Sequence, residues 1–407
     1  MKKIRLITLF LASIFITTGI SNLSGQDFAG WRGDSRDGTV KDFNTPDKWP
    51  DKLNQEWQIK VGEGDASPVL LHNRIYVFVK ADNMETVICL NAGDGKEIWQ
   101  TAVNPSPEIA GTAAGHPGPR STPFVTNEKL FVLGAGGVFS CLDAKTGKVL
   151  WKNDKYTDVP QFYTSCSPLV VNDICVVQLG GRDNGVVVAF NTDSGEEIWK
   201  LEGAPCTYSS PNIMKSTDGL ILVQSETDLL GVSVKGELLW KIATPVERRS
   251  YNAPSPICSG ETVIVAGQGS GTKAFKISKN ASEWTTSDLW SNAELGTSFN
   301  TPVIKDGFLY AVEGRLGKLF CLDLNTGSKC WEDETTQNRF AAVLDLGKVL
   351  VSLPANGKLI FFESNGKAYT ELKQYQVAET EVYAHPVFNG NKIIVKDKEM
   401  LTSWLVQ

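Results

Sequence analysis

The chain has 407 residues, 42 % apolar and 21 % charged, a globular composition that excludes a disordered or fibrous protein. Its formal charge of −6 argues against a nucleic-acid partner, which needs clustered Lys and Arg. Only three histidines (His72, His116, His385) are present, which disfavours chemistry built on several imidazoles, whereas eleven tryptophans demand a cause.

The N-terminus comes first. Lys2, Lys3 and Arg5 precede an apolar run from Leu6 to Ile16, followed by small residues such as Gly19, Ser21, Ser24 and Gly25. This pattern predicts a signal peptide over residues 1–25, cleaved before Gln26. No later stretch is long and apolar enough for a spanning helix, and the first cysteine is Cys89. The expectation is a periplasmic or secreted protein with no transmembrane segment and no lipid anchor.

Beyond a short arm at 26–52, two phrases repeat. One is a strand, a turn with Asp or Asn and Gly, and a strand ending in Trp: Cys89 to Trp99, Cys141 to Trp151, Ala189 to Trp199, Gly231 to Trp240 and Cys321 to Trp331. Looser copies end at Trp290 and Thr370. The other phrase opens a strand with Ser/Thr-Pro at Pro68, Pro123, Pro168, Pro211, Pro256 and Pro302; His385-Pro386 varies it and Phe340-Ala341 is degenerate. The period is about 45 residues with four strands per unit, the signature of a β-propeller. The chain ends after three strands of an eighth unit, and 53–61, which contains Trp57, supplies the missing outer strand. The expectation is an all-β, eight-bladed propeller of four-stranded blades over 53–407, closed by an N-terminal strand in the last blade. Seven tryptophans become plugs between blades. Trp31, Trp49, Trp284 and Trp404 fall outside the pattern and remain as ligand contacts among the tryptophans.

The cysteines suggest no framework, but Cys321 and Cys330 face each other across one hairpin and form a disulfide candidate. No zinc-ligand spacing, hydrolase elbow or phosphate loop occurs, and Ala266 to Gly271 reads as a turn between strands. No metal site is expected. Functional groups in a propeller gather at one mouth of the axial channel, just before each Ser/Thr-Pro. The candidates there are Arg120, Tyr163, Tyr208, Arg249, Tyr251, Asn252, Asn300, Arg339 and His385. Such a ring suits a small anionic or sugar-like ligand, or a peptide loop. The insertion between Trp99 and Arg120, with His116, reads as a tolerated surface loop in preference to a lid.

The Cys141-Leu-Asp-Ala-Lys-Thr-Gly-Lys-Val-Leu-Trp151 phrase resembles the quinoprotein-type propeller repeat of pyrroloquinoline-quinone (PQQ) alcohol dehydrogenases and of the assembly factor BamB. Trp31-Arg32-Gly33 with Arg36-Asp37-Gly38, Gly118 to Pro123, Cys166 to Pro168 with Gly180-Gly181, and Ala384 to Pro386 resemble secreted PQQ-binding-like propellers. The resemblance implies the eight-bladed fold over about residues 28–407. The adjacent cysteine pair of the dehydrogenases is missing, and their calcium ligands and base find no matching motif. The expected function is a non-catalytic scaffold binding a protein partner or small ligand at its axial channel. One alternative is a PQQ-dependent alcohol or sugar dehydrogenase with a divergent site, its cofactor PQQ with calcium. Another is a carbohydrate-binding or carbohydrate-active propeller.

Overall fold

A computed structural model describes residues 27–216, 219–246, 251–281 and 283–407. The signal-peptide reading and the candidate Arg249 lie outside the described residues. Eight four-stranded antiparallel sheets form the blades of a propeller. Blades 1 to 7 occupy 69–105, 124–153, 169–202, 212–243, 257–292, 303–332 and 341–376. Blade 8 takes three strands from 387–405, and its outer strand is Asn54–Lys60. That strand pairs antiparallel with Met400–Leu405, so the two ends of the propeller close the ring as expected.

The apolar core lies in the gaps between adjacent blades. Tyr76 and Phe78 of blade 1 pack with Leu130 and Val132 of blade 2, and the same scheme continues round the ring. Plug tryptophans reach into the next blade's turn. Trp151 donates its indole N–H to Thr192 O at 3.2 Å, Trp199 to Val234 O at 3.0 Å, and Trp290 to Leu324 O at 2.8 Å. The turn glycine is demanded twice over. At Gly195 the φ of +73° disfavours any side chain, and a Cβ would stand 2.5 Å from the Trp151 ring.

A β-bulge precedes the tryptophan and re-aims it. In blade 6, Cys321 pairs with Trp331 and Leu322 with Lys329, so Cys330 is the extra residue. The bulge offsets the two cysteines in the ladder, yet their thiols stay within hydrogen-bonding reach of each other. Both stand as free thiols in the structure, as do the other six cysteines.

Blade 7 lacks a plug, and other parts of the chain fill its flank. Trp49 of the arm packs on Phe361 with ring centroids 4.5 Å apart, and Trp404 of blade 8 donates to Val377 O at 3.1 Å. Trp284 packs within its own long hairpin, under Lys279. Three of the four unassigned tryptophans therefore stabilise the ring.

The arm crosses the axis. Phe28 exchanges backbone hydrogen bonds with Leu70 of blade 1, and Val40 donates to Asp345 of blade 7. Between them, Arg32 donates to Thr301 O and Pro302 O, both at 2.7 Å, in blade 6. Arg36 donates to Pro168 O at 2.7 Å and Ser167 O at 3.1 Å, in blade 3. Both guanidinium groups are fully buried, and burial pushes each down to about 10. Backbone carbonyls, rather than carboxylates, hold these two charges on the axis.

Candidate functional site

The Ser/Thr-Pro phrase sets the inner wall. Each hydroxyl accepts a backbone N–H from the blade before it: His385 N to Ser67 Oγ at 2.8 Å, Ser67 to Thr122 at 3.1 Å, Thr122 to Ser167 at 3.0 Å, and Ser167 to Ser210 at 2.9 Å. Ser210 to Ser255 at 2.8 Å and Ser255 to Thr301 at 3.0 Å extend the belt to blade 6. Blade 7 carries Ala341 at the matching place, and the belt stops there. Arg32 takes the Thr301 and Pro302 carbonyls beside that break.

Above this belt opens a funnel of about 690 Å³, with Trp31 of the arm in its lining. The Trp31 ring meets His385 edge-on at 5.8 Å, and Arg32 and Arg36 lie 5.6 and 5.5 Å from its centroid. Trp31 is thus the one unassigned tryptophan that reaches the candidate site. His385 is buried, which pushes its imidazole down to about 3 and keeps it neutral, and its Nδ1 has no hydrogen-bond partner.

Two aromatic groups line the funnel. Phe162, Tyr208 and Tyr251, from the loops entering blades 3, 4 and 5, meet with centroids 5.2 to 5.8 Å apart. Phe299 and Phe340 stack at 4.4 Å, and Tyr383 meets Phe340 edge-on at 5.2 Å. Arg339 lies 5.7 Å from the Phe299 centroid and 5.3 Å from that of Phe340.

The third side comes from the insertion. His116 Nδ1 lies 2.8 Å from Asp65 Oδ2, and that hydrogen bond holds the imidazole above its ordinary range. Tyr383 meets the His116 ring at 4.6 Å. Arg120 donates to His116 O at 2.7 Å and lies 5.6 Å from the Tyr163 centroid; burial lowers it below the usual guanidinium range. The insertion also hangs on Tyr163, whose hydroxyl donates to Glu108 O at 2.9 Å and accepts Ala110 N–H at 3.2 Å. It therefore lines the funnel instead of lying idle on the surface.

Of the sequence-predicted residues, Arg120, Tyr208, Tyr251, Arg339 and His385 meet in the funnel lining. Tyr163 supports the insertion. Asn252 spends its amide on Glu226 O and Thr244 O, both at 2.9 Å, and Asn300 exchanges hydrogen bonds with Val312, at 2.8 and 3.1 Å. Both asparagines hold blade junctions. Asp65, His116 and Phe162 complete the walls without having been singled out as site residues. Asp65 and Phe162 precede a Ser/Thr-Pro phrase, and that position was the available signal.

The sequence matches the family described as "Outer membrane protein assembly factor BamB" over residues 83–333. The chain belongs to this BamB-like propeller family. It is 23 % identical over 321 residues to the assembly factor BamB of Yersinia pestis, covering 76 % of this chain and 78 % of that protein. It is 30 % identical over 145 residues to quinohemoprotein alcohol dehydrogenase ADH-IIG of Pseudomonas putida, covering 35 % of this chain and 20 % of that enzyme. The solved BamB of Moraxella catarrhalis superposes with a TM-score of 0.64 at 13 % identity, over 87 % of this chain and 98 % of that one. A europium-containing methanol dehydrogenase gives 0.72 at 13 % identity, over 92 % and 90 %. These structural likenesses concern the fold.

Proposed function

We propose that this chain is a non-catalytic, extracytoplasmic scaffold whose axial funnel receives a segment of a protein partner. The observation that carries the reading is the funnel lining: two aromatic groups and Arg339, whose guanidinium makes ring contacts and no hydrogen bond among the described residues. Aromatic and arginine side chains supply most of the binding energy at protein interfaces. Relatives named as outer membrane protein assembly factors support a protein partner and a periplasmic setting. No helix among the described residues is long and apolar enough to cross a membrane, which is compatible with that setting. Affinity capture from an extract of the native cell with the full chain tests this. Tyr251→Ala should lower recovery of the captured partner about tenfold without lowering the melting temperature. Unchanged recovery overturns the reading.

The second reading, a PQQ-dependent dehydrogenase, draws on the resemblance to the quinohemoprotein enzyme. Arg120 and Arg339 of the funnel lining suit an acidic cofactor. The calcium that accompanies PQQ fits less well: Asp65, the acidic side chain of the described lining, is engaged by His116, and no three carboxylate, His or Cys side chains converge among the described residues. Addition of PQQ and calcium followed by dye reduction with alcohols decides it: turnover replaces the scaffold reading.

A further inference from the structure

We infer that the funnel recognises an acidic peptide segment, seating carboxylates at Arg339 and at His116 and an aromatic neighbour against Phe162, Tyr208 and Tyr251. This rests on the protein-docking reading above and specifies the chemistry of the partner.

The wall of the funnel is continuous from Arg339 to His116. Arg339 lies over Phe340, Phe340 meets Tyr383, and Tyr383 meets His116. The guanidinium of Arg339 has no hydrogen-bond acceptor among the described residues, so its planar fork is open to a carboxylate. His116 uses Nδ1 on Asp65, and its Nε2 has no hydrogen-bond partner among the described residues. Asp65 is the acidic side chain in the described lining, against Arg120, Arg339 and His116. Asp65 is taken up by His116, and Glu85 acts on Arg120, which leaves Arg339 as the cation of the lining without an acidic partner and able to select for an anion.

A peptide accounts for the rest of the funnel. Aromatic groups stand on two sides, so one carboxylate leaves apolar surface for flanking side chains. Phe299, 43 % exposed, carries that surface outward to a partner's body. Deep in the funnel, the buried and unpartnered Nδ1 of neutral His385 requires one hydrogen-bonding group, and a peptide unit offers both a donor and an acceptor. Neutral sugars would stack on the rings and offer Arg339 hydroxyl acceptors but no opposing charge.

His116 also sets a pH dependence. The charged groups acting on it are Asp65 from the entry to blade 1, Arg120 from its own insertion and Glu381 from the entry to blade 8. Asp65 favours the imidazolium, so the anion is held most firmly at acidic to neutral pH.

The probe is acetyl-DFDF-amide, compared with acetyl-NFNF-amide, titrated calorimetrically into the full chain. The acidic peptide should saturate, and the amide counterpart should bind at least about tenfold more weakly. Arg339→Gln should cost about tenfold at unchanged melting temperature, while Arg339→Lys, which keeps the charge, should recover part of it. Affinity should fall several-fold from pH 6 to 8.5, and His116→Gln should remove that fall. Equal binding of the two peptides, or no saturable binding below about 1 mM, overturns the inference. If the peptides fail while Tyr251→Ala still lowers partner capture, the docking reading stands alone. If Tyr251→Ala leaves capture intact as well, both fall.

Discussion

The backbone N–H of His385 donates to the hydroxyl of Ser67 across 2.8 Å, joining blade 8 to blade 1 inside the ring. Five further N–H-to-hydroxyl bonds continue the belt to Thr301. Each hydroxyl is buried, so its removal leaves a backbone N–H without an acceptor. Ser210→Ala should destabilise the protein by about 1–2 kcal/mol in chemical denaturation. A loss within error would mean that the belt contributes no stability.

The turn glycines separate two effects. Gly195→Ala meets both a positive φ and the Trp151 ring, whereas Gly347→Ala meets a φ of +82° with nothing within 4 Å. The second should cost about 1 kcal/mol and the first clearly more. Equal costs would show that the tryptophan does not press on the turn.

The arm is held by charge donated to carbonyls. Arg36→Ala leaves the Ser167 and Pro168 carbonyls without their donors and should cost about 2–3 kcal/mol. It should also open the arm to limited proteolysis between Phe28 and Val40. Resistance equal to the parent would contradict an arm anchored on the axis.

His385 has an acid signature. Its folded-state value, about 3, lies below the ordinary 6.5, so the unfolded chain binds more protons between these limits. Stability from this residue is complete above pH 6.5 and is lost as pH falls towards 3. The parent should lose about 2 kcal/mol more than His385→Asn between pH 7 and 4.5, read from urea midpoints. Parallel profiles would mean that His385 is not held neutral.

The blade count, the tryptophan plugs and the ring closure were legible because a short phrase recurs, and a repeat reports on packing without any long-range contact. The funnel was half legible. Position before Ser/Thr-Pro located Arg120, Tyr208, Tyr251, Arg339 and His385, but it equally selected Asn252 and Asn300. Whether an amide faces the axis or the carbonyls of its own blade depends on side-chain direction, which residue type leaves open. The arm was illegible for a different reason: Arg32 meets Thr301 across 269 residues, outside any repeat. The disulfide expectation rested on Cys321 and Cys330 facing each other across a hairpin; the bulge at Cys330 was not legible, and it leaves their thiols adjacent and unbonded.

The most direct test places a photo-crosslinking amino acid at Phe299, on the rim of the funnel, or at Ile198, 53 % exposed on the outer strand of blade 3. Irradiation in the native cell should join the partner to the Phe299 position and not to Ile198. Adducts from Ile198 with none from Phe299 would contradict the funnel as the binding site.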